Sequence, residues 1–154
     1  MSPRISPSPG PPIRKYMTPA PHTIGREQTL SAAHRMMREH RVRHLPVLEA
    51  GKLVGILTQR DLHLIETLRD VDPDTTTVDE AMTMDVYVTD PSTPLEEVAA
   101  TMADHKYGSA IIVDRGKIAG VFTTVDALHA LASILVDPPH ARPTASMENA
   151  RHAG

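Results

Sequence analysis

Apolar residues recur with helical spacing in two segments of the chain, residues 30–40 and 95–105. In the first segment Leu30 and Met37 fall on one helix face behind Thr29, a favoured helix N-cap residue. In the second segment the same spacing gives an apolar stripe of Leu95, Val98, Ala99 and Met102. Both patterns predict an amphipathic helix that buries one face.

Short apolar runs after each predicted helix indicate pairs of buried strands. The runs are HLPVL and LVGIL in the first half and SAIIV and IAGVF in the second, joined by the hairpin-type sequences EAGK and DRGK. Another helix is predicted to begin at Thr58 and at Thr123, and short extended pieces are expected at 23–24 and 87–88. The predicted order in each half is therefore β-α-β-β-α.

The two halves are copies of one unit. A gap-free shift of 65 residues gives ten identities, and most other positions keep their apolar or polar character. The identical residues in the first copy are Met17, Thr18, Leu30, Met37, His40, Gly51, Lys52, Gly55, Thr58 and Asp61. A unit of about 50 residues buries too little surface to be stable alone, so we expect the copies to pack together.

Composition places this chain of 154 residues among ordinary globular proteins, with 40% hydrophobic and 23% charged residues. Cysteine is absent, which excludes disulfides, thiolate nucleophiles and cysteine-bound metals. The net charge of −3 argues against a dedicated nucleic-acid binder. No apolar run reaches membrane length, and residues 1–15 contain no apolar stretch of the kind found in signal peptides, so we expect neither a membrane span nor a secretory signal. These features predict a cytoplasmic protein without membrane contact.

Proline sets the expected boundaries. Seven of the fourteen prolines lie in residues 1–21 and three in residues 138–143. The Pro/Ser-rich start offers too little apolar surface to offset the entropy lost on ordering it. We therefore expect a flexible arm, two repeats and a flexible C-terminal tail at residues 1–15, 16–76, 77–136 and 137–154.

A Thr-x-x-Asp motif ends the return strand of each copy, in GILTQRD and GVFTTVD. One interpretation is a helix cap, in which the threonine oxygen accepts from the third helical amide and the carboxylate lies near the positive helix end. The other is ligand binding, in which Thr58 with Asp61, and Thr123 with Asp126, hydrogen-bond a vicinal diol. Free amides at the same helix start would then suit phosphate. The two interpretations are compatible.

The chain resembles a tandem pair of CBS domains, also called a Bateman module. The matching strings are MTPAPHTI and EHRVRHLPVLEAGKLVGILTQRDL, with MTMDVYVT and HKYGSAIIVDRGKIAGVFTTVDAL in the second copy. The resemblance spans about Tyr16 to Val136. It implies an α/β (α+β) fold in which two pseudo-symmetric β-α-β-β-α CBS repeats pack into one module with two clefts.

The resemblance also implies the ligand and its contacts. CBS pairs commonly bind AMP, ADP, ATP or S-adenosylmethionine, and by analogy the two Thr–Asp pairs would hold ribose hydroxyls. The base would lie against positions that correspond here to His22, Thr23, Ile24, Leu45 and Pro46 in one unit and Tyr87, Val88, Ala110 and Ile111 in the other. The second copy has YGSAI where the first has VRHLP. We therefore expect two inequivalent sites.

Charge adds to this asymmetry. Residues 17–66 carry seven Lys/Arg against five acids, whereas residues 82–131 carry three against seven. A polyphosphate would find its best partners in the first unit, at Arg41, Arg43, His44 and Arg60, although most such charges in proteins are simply solvated.

The remaining histidines and methionines have structural explanations. His40 and His105 end the first helix of each copy, where a positive charge suits the helix dipole. The nine histidines show no metal-ligand spacing, and the Met-rich stretches at 36–37 and 82–84 are interpreted as core filler. We expect no metal site.

The final helix, VDALHALASILV, is apolar almost all round, which predicts that a second side of it is covered. A homodimer would provide that cover. The repeat mate within the same chain is the other candidate.

The sequence as a whole predicts a stand-alone CBS-pair regulatory module, with no enzyme activity and no catalytic cofactor. The expected partners are an adenosyl small molecule, a second copy of the chain and an unidentified effector protein. The alternatives are a ligand-free dimerisation or interaction scaffold and an enzyme acting on the nucleotide, for which we find no nucleophile. A nucleic-acid role would rest only on Arg4, Arg14 and Lys15 of the arm, which is a thin electrostatic footprint.

Overall fold

The β-α-β-β-α unit predicted from the sequence occurs twice in a computed structural model that describes residues 8–137. The first part of the chain forms β1 Thr18–Pro19, β2 Ile24–Gly25, α1 Leu30–His40, β3 His44–Glu49, β4 Lys52–Thr58 and α2 Gln59–Ile65. The second part forms β5 Val88–Thr89, α3 Leu95–His105, β6 Ser109–Asp114, β7 Lys117–Thr123 and α4 Thr124–Val136. The tail predicted at 137–154 lies, after Asp137, outside the described residues.

Each repeat is built around a tight β-hairpin. The turn between β3 and β4 has Ala50 and Gly51 at φ of 51° and 79°, and Arg115 and Gly116 in the second hairpin have φ of 54° and 79°. Two successive left-handed residues form the turn whose twist matches that of the flanking strands. The resulting register pairs the first residue of each hairpin with the threonine that ends it, His44 with Thr58 and Ser109 with Thr123.

Segments that precede each repeat cross over to the sheet of the other repeat. Strand β1 pairs antiparallel with β7, so that Thr18 lies opposite Val121, and the four-stranded sheet has the order β1-β7-β6-β5. The equivalent Thr83 exchanges two backbone hydrogen bonds of 2.9 Å with Ile56, next to the three-stranded sheet β2-β3-β4. The sequence did not predict β1 or this exchange.

A glycine in each return strand permits the crossing. A Cβ placed on Gly55 would lie 2.9 Å from the backbone oxygen of Thr83 and 2.8 Å from Met82 Sδ. A Cβ on the repeat-equivalent Gly120 would lie 2.9 Å from the oxygen of Thr18. Real Cβ atoms do not approach so closely, so the crossing segment requires glycine at both positions.

The crossing begins before the expected repeat boundary at residue 16. The 3-10 turn Ile13–Lys15 packs on the second repeat, where Ile13 is fully buried and its amide donates to Thr93 O at 2.8 Å. The equivalent turn Val78–Glu80 buries Val78 in the first repeat. The part of the expected flexible arm from Ser8 to Lys15 therefore differs from that expectation, because apolar burial of Ile13 anchors it.

Three apolar clusters hold the module together. One core lies under each repeat, built around Leu45 and Leu57 in the first and around Phe122 in the second. Met37 is buried in the first core and Met36 and Met82 pack against it, as expected for filler, whereas Met84 is exposed. A third cluster joins Ile56 of the three-stranded sheet to Ile111 and Val121 of the four-stranded sheet. The two sheets therefore pack face to face.

The final helix buries one side only in the single chain. Ala130 packs in the core, and Ala127 and Ile134 lie against it, whereas five large apolar side chains of α4 are exposed. These are Val125, Leu128, Leu131, Leu135 and Val136. The other repeat of the same chain therefore does not cover this apolar face of α4.

Within residues 8–137, none of the helices is long and apolar enough to cross a bilayer.

We predict that Gly55→Ala lowers the free energy of unfolding by about 1–3 kcal/mol, because the added methyl collides with the crossing backbone. Urea denaturation measures the effect. Gly108→Ala is the control, since a Cβ there meets nothing closer than His44 Nε2 at 3.6 Å. Equal stabilities of the two variants would contradict the role of Gly55 in the crossing.

Candidate ligand clefts

Both Thr-x-x-Asp motifs form complete helix caps. The Thr58 amide donates to Asp61 Oδ2 at 2.9 Å and the Asp61 amide donates back to Thr58 Oγ1 at 3.0 Å. Thr123 and Asp126 repeat the arrangement at 2.9 Å and 3.2 Å. The capping interpretation is therefore confirmed by the geometry. Each carboxylate is left at the mouth of a cleft with acceptor capacity to spare.

One cleft, here called the Thr58 cleft, has a volume of about 370 Å³. The first repeat contributes its Thr–Asp pair and Arg60. The second repeat contributes the opposite wall, through the segment that crosses over and the end of α3. Its remaining lining residues are His44, Ile56, Thr83, Asp85, Val86, Tyr87, His105, Lys106, Tyr107, Gly108 and Ser109.

The other cleft, here called the Thr123 cleft, has a volume of about 570 Å³. Its Thr–Asp pair comes from the second repeat and its basic wall from the first. Thr18 Oγ1 donates to Asp126 Oδ1 at 3.2 Å and so ties the crossing strand to the carboxylate. The remaining lining residues are Pro19, Ala20, Pro21, His22, His40, Arg41, Val42, Arg43, His44, Val121 and Val125.

His44 lines both clefts, at the start of β3. Burial lowers the pKa of His44 below its ordinary value, and the carboxylates of Asp126 and Asp61 partly offset this effect. One imidazole thus interacts with both Thr–Asp pairs. The repeat-equivalent position is Ser109, so this group has no counterpart in the second repeat.

Stacked rings line both clefts, but the ring types differ. In the Thr58 cleft, Tyr107 stacks between Tyr87 and His105 at centroid distances of 5.6 Å and 5.4 Å, and its hydroxyl donates to Asp85 at 3.3 Å. Burial, followed by the charge of Asp85, raises the pKa of Tyr107. In the Thr123 cleft, His22 stacks on His40 at 3.6 Å.

The sequence-predicted site residues divide into two groups. Those at the clefts are Thr58, Asp61, Arg60 and Tyr87 in one, Thr123, Asp126, His22, Arg41 and Arg43 in the other, and His44 in both. Those that do not line a cleft are Thr23, Ile24, Leu45, Pro46, Val88, Ala110 and Ile111. In this second group Ile24, Leu45 and Ala110 point into the cores under the repeats. Ile111, the neighbour of Ala110, faces the other side of its strand and lies in the cluster between the sheets, and Val88 is exposed.

The structure shows how positions of the two units combine in each cleft. The structure places His22 opposite Thr123 and Tyr87 opposite Thr58, so each cleft combines both repeats. Thr18, Asp85 and Tyr107 were missed as lining residues. The repeated Met-Thr pairs were the available signal for Thr18 and Thr83.

Charge is distributed unevenly between the clefts. Three of the four basic residues predicted to suit phosphate, Arg41, Arg43 and His44, lie in the Thr123 cleft, whereas Arg60 lies in the Thr58 cleft. These three basic residues belong to the first unit, as expected for phosphate partners, but the cleft that they line contains the Thr–Asp pair of the second unit.

Within residues 8–137, no group of three or more metal-ligating side chains is arranged to hold a metal ion.

Two pseudo-symmetric repeats that exchange strands and enclose two composite clefts define a tandem-repeat module. The sequence profile of the CBS domain matches residues 13–64 and 78–133. The chain therefore belongs to the CBS-domain family, as a tandem CBS pair. The CBS domain-containing protein YhcV of Bacillus subtilis is 32% identical over 114 residues, 74% of this chain and 81% of that protein.

Solved structures show the same fold. A putative acetoin utilization protein (AcuB) from Vibrio cholerae superimposes with a TM-score of 0.73 and 31% identity, covering 82% of this chain and 93% of that chain. CBSX2, in a crystal structure in complex with AMP, gives a TM-score of 0.67 and 26% identity, with coverage of 81% and 98%.

We predict that the free energy of unfolding decreases as the pH is lowered, partly because of His44. Because burial lowers its folded pKa below 6.5, the unfolded chain binds the proton first as pH decreases. The contribution of neutral His44 is present above that value and is lost below it. Urea denaturation at about pH 7.5 and about pH 5.5 should show a smaller loss for His44→Gln than for the native chain. Equal losses would contradict the prediction.

Proposed function

We propose that this CBS pair is a regulatory module that binds an adenosyl ligand reversibly and transmits its occupancy as a change of shape or assembly. The observation that carries the proposal is the pair of composite clefts, each with a Thr–Asp pair from one repeat facing a wall from the other. A ligand in either cleft contacts both repeats. It therefore favours whichever relative arrangement it fits best.

The free acceptor capacity of Asp61 and Asp126 suits a ribose. Each carboxylate spends one oxygen on the cap, and Asp126 Oδ1 also accepts from Thr18 Oγ1 at 3.2 Å. Because a carboxylate oxygen can accept more than one hydrogen bond, both carboxylates keep capacity for the two donors of a vicinal diol. Hydrogen bonds to an ionised acceptor are the stronger kind, so this pair would supply much of the orientation. The complex of the related CBSX2 with AMP supports a ligand of this class.

The Thr123 cleft is the better place for phosphate. Arg41 and Arg43 line it beside His22, His40 and His44. Guanidinium groups match phosphate oxygens bidentately. We therefore propose that a nucleoside phosphate such as AMP, ADP or ATP enters this cleft, with its ribose on Asp126 and its phosphates on the arginines.

We expect an adenosyl ligand at about one hundred times its Kd to stabilise the chain by about 2.7 kcal/mol, or roughly 5–10 °C in Tm. A thermal-shift titration with AMP, ADP, ATP and S-adenosylmethionine measures this, with GTP as the base control. The double variant Thr58→Ala/Thr123→Ala should lose the ligand-induced shift.

The matched control for lost capping is Thr29→Ala. Thr29 caps α1 through a 3.1 Å bond from the Ala32 amide and lies outside both clefts. This variant should lose stability and keep the ligand shift. If no adenosyl compound moves the Tm of the native chain, the Thr–Asp pairs act as caps alone and the scaffold alternative replaces the proposal.

A second copy of the chain is the proposed cover for α4. Leu128, Leu131 and Leu135 are exposed by 66%, 53% and 72% and lie three or four residues apart, which places them in one row along the helix. In a monomer these leucines stay exposed to water and contribute no hydrophobic burial. We propose that two copies pair along it, so that ligand occupancy can reach an effector protein through the assembly.

Leu128→Glu/Leu135→Glu should therefore convert a dimer into a monomer, because each carboxylate would be buried without a partner. Analytical ultracentrifugation measures the change. Ser133→Glu places the same charge on an exposed position of α4 that is out of phase with the row, and it should leave the dimer intact. A native chain that sediments as a monomer at all concentrations contradicts the pairing.

A further inference from the structure

The starts of β3 and β6 meet between the two clefts, and they carry different residues. Arg43 and His44 stand at the start of β3, whereas the repeat-equivalent residues at the start of β6 are Gly108 and Ser109. A Cβ placed on Gly108 would lie 3.6 Å from His44 Nε2, so the imidazole reaches the second repeat. The small residues of the second repeat leave space for one ring at this point.

This position brings His44 to both clefts. Within the described part of the chain, no other residue lines the Thr58 cleft and the Thr123 cleft alike. His44 lies directly opposite Thr58 on the neighbouring strand, as Ser109 lies opposite Thr123. Ser109 nevertheless lines only the Thr58 cleft. The shared position therefore depends on the imidazole of the first repeat and does not follow from the repeat symmetry.

Charged groups act on His44 from both clefts. Burial lowers its pKa below the ordinary value, so the imidazole is mainly neutral at neutral pH. The carboxylates of Asp126 in α4 and Asp61 in α2 raise the pKa, and the neighbouring Arg43 adds to the lowering. The other titratable or charged residues of the Thr123 cleft are His22, His40 and Arg41. Those of the Thr58 cleft are Arg60, Asp85, Tyr87, His105, Lys106 and Tyr107.

An anion in either cleft would act on this same imidazole. A negative charge near a histidine favours its protonated form, in which both ring nitrogens are donors. Histidine changes its charge readily between about pH 5 and 8, whereas the arginines of both linings stay charged throughout this range. His44 can therefore gain a positive charge that faces both clefts when an anion arrives.

We propose that His44 is a proton-binding residue shared by the two clefts, whose charged form attracts the anionic group of a ligand in either one. This inference rests on the proposed ligand binding and adds the proton as a second input to the module. Affinity for an anionic ligand then increases as the pH falls through the titration of His44, because the bound form holds the proton more tightly than the free form.

Calorimetric titration of the full chain with AMP measures this linkage, in buffers that differ in their ionisation enthalpy. At about pH 6.5 the native chain should take up roughly 0.3 or more protons per AMP beyond the uptake of His44→Gln. The AMP phosphate and the remaining histidines titrate in both proteins, so the difference belongs to His44. His129→Gln is the control, since His129 is exposed and lines neither cleft, and it should keep the native uptake.

A second measurement tests the sharing on the ligand-free chain. NMR titration follows the imidazole signals of His44, which are identified by their absence in His44→Gln. Asp61→Asn and Asp126→Asn each remove a carboxylate charge, and the amide oxygen can still accept the cap bond. Each variant should lower the midpoint of His44 by about 0.2 pH units or more. A midpoint that responds to only one of them assigns His44 to one cleft and overturns the sharing.

The AMP titration also separates this inference from the function on which it rests. If AMP binds and the native chain and His44→Gln take up equal numbers of protons, ligand binding stands and the proton linkage fails. If AMP does not bind the native chain, the linkage fails as well, and the thermal-shift titration with the other adenosyl compounds decides the proposed function on its own.

Discussion

The exchange of backbone hydrogen bonds between the repeats is the constraint on which the rest of the structure depends. Each Met-Thr segment lies against a glycine in the return strand of the other repeat, and only the absence of a Cβ at Gly55 and Gly120 lets it come so close. The exchange places Ile13 and Val78 in each other's repeats as buried anchors. Neither repeat has a complete core without the segment from the other side.

The same exchange makes the clefts composite. A Thr–Asp pair at a strand end would face open solvent in an isolated repeat, because its opposite wall comes from the partner repeat. A ligand that spans the two walls is sensitive to their relative position. Among the residues that the structure describes, His44 is the one whose side chain lines both clefts.

Much of the architecture was predictable from local patterns. Apolar spacing predicted α1 and α3, the turn sequences predicted both hairpins, and the Thr-x-x-Asp motif predicted caps that the structure contains. The predicted cleft residues were less accurate where the side-chain direction mattered. Leu45 and Ala110 lie on the lining strands yet face the cores, since register alone decides which side of a sheet a residue occupies.

The sequence by itself determined the repeat, its elements and the chemical inequality of its two copies, because these depend on residue type and short-range spacing. Only the tertiary structure decided which wall faces which Thr–Asp pair. Pairing between segments far apart in the chain depends on steric fit, such as that of Thr83 against Gly55, and no local pattern encodes the partner. The basic wall of the first unit consequently faces the Thr–Asp pair of the acidic second unit, and only the fold could show this arrangement.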